Sequence, residues 1–444
     1  MENVRPPNVI ERFFKVRERN STVRTELIAG LTTFVALSYI IFVNPNILME
    51  TGIPKESAIA ATIWVTAIST LLMGVIANYP IALAPGMGLT AFFVYYVCGT
   101  IGLPWSAALG AVFCSGVVFL ILTVGGIRQA IINSVPQNLK TAISVGLGLF
   151  IAFIGLKGAG IITLDLSTIV TLGDVTRPET VIAFLTLLLM NVLMSKEIPG
   201  AILLSIIIMT ILSMLVGLAP VPQGISDIVS TRMPDMGATF GKLDIMAALD
   251  YGIVHIVFTF TIVELFDNMG TLIGLGSKAG LIKENGEIEN IDKALTTDAF
   301  GTMISSVFGT STVTSYLESA LGIAAGGRTG LTAVTIAFLF IVAFLFTPLI
   351  AFVPSYVTSP ALILVGCIMM AEVKKVNFDD LTEGLPAFMT IIIMPLTASI
   401  ANGFALGFIS YVIVKLLAGR VKEVNPVMWL VSIAFLINLI SRSG

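Results

Sequence analysis

Histidine occurs once in this 444-residue chain, cysteine three times, and only 11% of the residues are charged. One histidine (His255) and three scattered cysteines (Cys98, Cys114 and Cys367, all in apolar segments) supply no metal cluster, no disulfide framework and no nucleophile–base pair. An enzyme built on those groups is therefore excluded, and no metal or cofactor is expected. The net charge is −3, and no basic cluster is interleaved with aromatics, which argues against a nucleic-acid partner. AGGRTG (325–330) lacks the Lys-Ser/Thr of a phosphate-binding loop, and Gly86-Met87-Gly88 has no βαβ context. With no ATP site in view, any transport must be driven by a gradient. The N-terminal ERFFKVRERN (11–20) has no apolar stretch before it, so no cleavable signal is expected.

Apolar residues fill that space. They make up 56% of the chain, and the mean hydropathy is +0.99. A bilayer core of about 30 Å needs about 20 apolar residues per helix. Apolar segments fall near 26–49, 57–79, 81–98, 104–124, 130–156, 180–195 and 198–219. A second set falls near 246–276, 294–309, 312–326, 331–353, 356–373, 384–398 and 400–418, and 426–441 closes the chain. The fold class expected is an all-α polytopic membrane protein with about fourteen spanning segments. Placing the N-terminus in the cytoplasm leaves eighteen Lys/Arg residues inside, from Arg5 to Lys422, against Lys55, Lys157, Arg177, Arg232 and Lys242 outside. That asymmetry supports a plasma- or inner-membrane protein with a cytoplasmic N-terminus.

The two halves echo each other. Ala183-Phe184, Thr186, Met190 and Ser195 recur at the same spacing as Ala387-Phe388, Thr390, Met394 and Ser399. Val135-Pro136 leads to Val145-Gly146 as Val353-Pro354 leads to Val365-Gly366. Seven crossings per copy would make the second copy start from the opposite side, an inverted repeat of the kind found in secondary transporters. The expected division is a cytoplasmic segment 1–25, a first repeat 26–219, an extracellular connector 220–249, a second repeat 250–418 and a C-terminal apolar segment 419–444.

Two segments in corresponding places are interrupted. The third opens Ala84-Pro85-Gly86-Met87-Gly88-Leu89-Thr90, where proline and glycine oppose a regular helix. The tenth opens with Gly309 and the β-branched, hydroxyl-rich run Thr310–Ser315, which favours extended backbone. Both should carry extended strands and meet, because non-helical backbone at membrane depth needs protein or a cavity to satisfy it.

Three carboxylates sit in apolar runs: Glu264, Asp267 and Glu318. Removing them from water costs roughly 8–10 kcal/mol on the lenient insertion scale, so they are expected to face a cavity, bind something or carry protons. Glu264 and Asp267 are three apart and share a helix face. Two ionised carboxylates there would repel, so one that exchanges a proton suits proton-coupled transport. Extended backbone would put Tyr316 and Glu318 on one face, beside which a flat heterocycle could stack and donate an N–H. His255 reads as a hydrogen-bonded structural group, with a proton relay as the alternative. The loop 278–295, with its Glu284-Asn285-Gly286 turn, reads as a solvated connector.

ALAPGMGLTAFF (82–93), VELFDNMGTLIGLGSKAGL (263–281), GTSTVTSYLESALGIAAGGRTGLTAV (309–334) and RNSTVRTELIAGLTTFVALSYIIFVNPNIL (19–48) resemble the nucleobase–cation symporter 2 superfamily, in its AzgA-like adenine/guanine/hypoxanthine permease branch. The resemblance covers essentially the whole chain. It implies a seven-plus-seven inverted repeat with core and gate domains, proton-coupled uptake of purine bases across the lipid bilayer, and a homodimer. It maps the substrate carboxylate of the eighth helix, three residues before a glycine, to Asp267. It maps the tenth-segment carboxylate to Glu318 and the third-segment backbone to Gly88. The chain departs from the branch at Glu264 (usually Asp), Thr90 (usually Asn) and Asn268 (commonly Thr), and Thr90 leaves the base preference open. Asp267, Glu318, Gly88, Thr90, Tyr316, Ser315 and Phe34 are the expected substrate contacts. Phe34 and Tyr316 would stack on the base, and Glu264 with Asp267 would couple protons. Other substrates on the same fold (a pyrimidine, xanthine or an anion), sodium coupling and a passive channel are the alternatives. An anion would prefer cations to two acids.

Overall fold

The computed structural model describes residues 8–125, 134–232, 234–250, 254–282 and 288–443. The first half runs α1 (Val9–Phe13), α2 (Val23–Leu37), α3 (Ile40–Leu48), α4 (Lys55–Leu72), β1 (Leu83–Pro85), α5 (Met87–Ala91), α6 (Trp105–Val124), α7 (Gln137–Gly158), β2 (Ile162–Asp165), β3 (Ile169–Leu172), α8 (Pro178–Ser195) and α9 (Ala201–Leu215). The second half runs α10 (Ile245–Asp250), α11 (Val254–Lys278), α12 (Ile291–Phe308), β4 (Val313–Ser315), α13 (Ser319–Ala324), α14 (Gly330–Ala343), α15 (Thr347–Ala351), α16 (Ser355–Met370), α17 (Leu381–Leu396), α18 (Ile400–Leu417) and α19 (Pro426–Ser443). Among the described residues, nine helices are long and apolar enough to cross a membrane, and four shorter apolar helices accompany them. The chain is thus a multi-pass, mostly helical membrane protein.

The interrupted segments are extended where proline, glycine and β-branched residues oppose helix. β1 pairs antiparallel with β4 in the register Leu83↔Ser315, Ala84↔Thr314 and Pro85↔Val313. Gly86 N–H donates to Thr312 O at 3.0 Å, and Tyr316 N–H to Ala82 O at 3.1 Å, which lengthens the ladder. The β2–β3 hairpin between α7 and α8 has no counterpart in the hydropathy pattern. The 284–286 turn and the His255 side chain lie outside the described residues.

The helices sort into two packed groups. In one, α12 packs on α6, and α14 on α2 and α4. In the other, α16 packs on α7 and α8, and α17 on α7 and α18. The repeated sequence motif reappears as repeated structure. Thr186 in α8 and Thr390 in α17 are both fully buried, and each hydroxyl donates to the carbonyl four residues back, at 2.7 and 2.9 Å.

The second group closes on small residues. A Cβ added at Gly366 would overlap the carbonyl oxygen of Gly148, and one added at Gly155 would lie 2.8 Å from Ile363 N. Gly366 has no room because backbone, not a movable side-chain end, stands against it. Gly274 in α11, by contrast, has no described atom within 4 Å of an added Cβ. Gly366→Ala is expected to lower the melting temperature of the detergent-purified protein, since overpacking costs about 1–3 kcal/mol. Gly274→Ala should leave it unchanged or raise it, because alanine is the better helix former.

Candidate functional site

A two-stranded sheet has two outer edges of unpaired backbone groups, and at membrane depth no water meets them. Buried side chains do so here. Thr70 Oγ1 accepts from Leu83 N–H and donates to Leu83 O, both at 2.9 Å. Ser319 Oγ accepts from Ala82 N–H at 3.0 Å. On the β4 edge, Asn268 Oδ1 accepts from Ser315 N–H at 2.7 Å and Thr302 Oγ1 accepts from Val313 N–H at 3.3 Å. The sheet is therefore held by one residue from each of four helices, α4, α11, α12 and α13.

A cavity of about 710 Å³ opens beside this sheet, between the two helix groups, well within the size of small-molecule sites. Asp267 and Thr271 reach it from α11, and Ser315, Tyr316 and Glu318 from the end of β4 and the turn that follows. Gly88 of α5 forms the opposite wall, where Leu147 of α7 approaches so closely that a Cβ on Gly88 would lie 2.5 Å from Leu147 Cδ1. The α8–α9 connection, including Glu197 and Pro199, also lines it.

Of the residues expected from sequence, Asp267, Glu318, Gly88, Tyr316 and Ser315 meet at this cavity. Glu318 is not on a strand with Tyr316: β4 ends at Ser315, and Glu318 stands in helical conformation (φ −59°, ψ −21°) at the start of α13. The two side chains share the cavity because the chain turns between them. Tyr316 anchors the sheet, its hydroxyl donating to Pro85 O at 2.5 Å. The Ser315 amide is engaged by Asn268, so what Ser315 offers the cavity is its hydroxyl, which has no protein partner among the described residues.

Three expected residues lie off the cavity lining. Phe34 packs edge-on against Phe340, with ring centroids 5.2 Å apart. Thr90 is fully buried; it donates to Asn44 Oδ1 at 2.9 Å and pairs with the Ser311 hydroxyl at 2.5 Å. Asn44 in turn donates to Thr62 and Thr310, so Thr90 belongs to a network that joins the two broken segments behind the wall. Glu264 is fully buried and accepts from Thr302 Oγ1 at 2.6 Å.

Two residues escaped the sequence reading. Asp298 is fully buried, as Glu264 and Glu26 are, and accepts from Asn268 Nδ2 at 2.5 Å; its place in the apolar run 294–309 was the available signal. Tyr39 lines the cavity and donates to Glu318 Oε1 at 2.5 Å. It sits at the Ser38–Tyr39 interruption between α2 and α3, inside a stretch whose hydropathy reads as one continuous helix.

The comparisons with known proteins agree with this architecture. Residues 24–406 match the model of the permease family described as Xan_ur_permease. A permease of Methanocaldococcus jannaschii is 46% identical over 98% of this chain and 99% of its own. The adenine permease AdeP of Escherichia coli is 40% identical (97% and 96% covered), and the guanine/hypoxanthine permease PbuO of Bacillus subtilis is 40% identical (96% and 99%). The solved transmembrane domain of a cyanobacterial bicarbonate transporter, BicA, superposes with a TM-score of 0.64 at 16% identity, over 84% of this chain and 95% of that one. At that identity the likeness is one of fold, the seven-plus-seven inverted repeat.

Asn268 serves Ser315 N–H and Asp298 at once. Asn268→Leu would leave both buried groups short of a partner, at about 1–3 kcal/mol each. A marked fall in melting temperature is expected, with Thr271→Val as the cavity-facing control that leaves it near the wild-type value.

Proposed function

The chain belongs to the nucleobase–cation symporter 2 permease family, and on that premise we propose that it takes up purine bases (adenine, guanine and hypoxanthine) together with protons. The observation that carries the reading is the pair of carboxylates, Asp267 and Glu318, reaching one cavity beside a satisfied sheet. Carboxylates accept hydrogen bonds, and purine bases present ring and exocyclic N–H groups on their edges. An inorganic anion would meet two acids there and be repelled. The relatives named for adenine and for guanine and hypoxanthine lend the substrate class.

In this reading Asp267 and Glu318 hold N–H groups of the base, the Ser315 hydroxyl and the Gly88 backbone complete the polar edge, and Tyr316 packs on the ring. Asp267 reaches the cavity and can exchange a proton with water there. Glu264, one turn earlier on the same helix, supplies the neighbouring charge that makes the proton's presence matter. The group built on α2, α4, α6, α12 and α14 is the core, and the group built on α7, α8, α16, α17 and α18 is the gate against which it moves. The distribution of lysine and arginine supports a cell-membrane protein with a cytoplasmic N-terminus, and the resemblance to the branch supports a homodimer.

Labelled adenine, guanine, hypoxanthine and uracil offered to proteoliposomes, with and without an inward proton gradient, test this. A purine should accumulate only when the gradient is imposed. Asp267→Ala and Glu318→Ala should reduce that accumulation to the level of empty vesicles while the protein still inserts. Accumulation driven by sodium alone, or of uracil alone, would overturn the coupling or the substrate class.

A further inference from the structure

Glu318 enters the cavity with its carboxylate accepting from its own backbone N–H. It begins α13, yet its side chain makes no capping bond to that helix. The side-chain donor to its carboxylate comes from the other half of the molecule, Tyr39 Oη–H donating to Oε1 at 2.5 Å. Tyr39 is itself fully buried. It stands where α2 gives way to α3, at a residue that keeps helical backbone angles (φ −58°, ψ −23°), and α2 packs on α13. By contrast, no described residue hydrogen-bonds Asp267.

We propose that Tyr39 is a positioning residue that holds Oε1 of Glu318 and so presents Oε2 as the oxygen that meets substrate and proton. The proposal rests on the transport reading above and deepens it. A phenol carries a single proton, and here it is committed to Oε1. A carboxylate that keeps that bond takes up a proton more readily on Oε2, because the phenol already lowers the basicity of Oε1. The same oxygen would otherwise accept an N–H from the base. Protonation therefore turns the cavity-facing oxygen from acceptor to donor, and Glu318 can hold a donor edge of the base only while Oε2 is bare. Without the phenol, the carboxylate can rotate and present either oxygen, and that orientation is lost.

Tyr39→Phe keeps the ring and removes only the hydroxyl. Gradient-driven uptake of labelled hypoxanthine, guanine and adenine into proteoliposomes is measured for the wild type and the variant, with the ligand-free melting temperature of each. We expect KM for the transported base to rise on the order of tenfold, as losing one hydrogen bond to a charged group implies. The maximal rate should stay within about twofold and the melting temperature close to wild type, since the hydroxyl contributes orientation rather than packing. p-Aminophenylalanine at position 39, which restores an N–H donor in the same place, should bring KM back. If Tyr39→Phe fails to fold, p-fluorophenylalanine fills the hydroxyl's volume without its proton and takes the variant's place. An unchanged KM overturns the proposal. So does a joint fall in maximal rate and melting temperature without rescue by the amino analogue, which would make Tyr39 a packing residue. If the wild type itself accumulates none of the bases, the functional reading has failed first, and the proposal falls with it.

Discussion

The pairing of β1 with β4 is the constraint on which the rest of this molecule depends. A bilayer offers no water to exposed N–H and C=O groups, so two broken segments can exist at membrane depth only if they satisfy each other and their surroundings satisfy the remainder. Three residues from each half form the ladder. The outer edges are closed by Thr70, Ser319, Asn268 and Thr302. Each of these is buried and polar, and each comes from a different helix. The sheet therefore dictates polar residues at four places in helices that would otherwise be free to be apolar throughout.

That requirement separates the buried carboxylates into two kinds. Glu264 and Asp298 sit behind the sheet, bonded to Thr302 and Asn268, the side chains that hold the β4 edge. They keep the frame's hydrogen-bonding hydroxyl and amide oriented. Glu26 does similar work elsewhere, accepting from Arg328 N–H, Thr329 N–H and the Thr332 hydroxyl at the start of α14. Asp267 and Glu318 reach the cavity, where no frame group claims all of their acceptor capacity. Cost alone does not distinguish these kinds, because every one of them is expensive to bury.

The inverted repeat explains why the cavity lies where it does. Each half contributes one interrupted segment, and the two interruptions meet where the halves interlock. The cavity wall formed by α7 and α16 follows the same logic, since Gly148 and Gly366 bring the two copies of one helix into backbone contact. Leu147, next to that contact, reaches across to Gly88. A change at the helix crossing would therefore be felt at the wall of the cavity.

Much of this was determined by the sequence alone. Composition and hydropathy dictate a multi-pass membrane protein, because 56% apolar residues in long runs cannot be covered in water. Pro85-Gly86 and the Thr310–Ser315 run break their segments by backbone chemistry that acts locally, and the repeated motif fixes the symmetry. What only the tertiary structure decided is which side chain faces what. Glu264 and Asp267 share a helix face by spacing, yet three residues advance about 300° at 3.6 residues per turn. The remaining 60° or so is enough to aim one at α12 and the other at the cavity. Thr90 and Phe34 lie in the right segments but turn toward Asn44 and Phe340. Tyr39 gains its place from the packing of α2 on α13, which no local signal announces. Local propensity fixes where a segment breaks; the partner that a broken segment meets is a matter of packing between parts of the chain hundreds of residues apart.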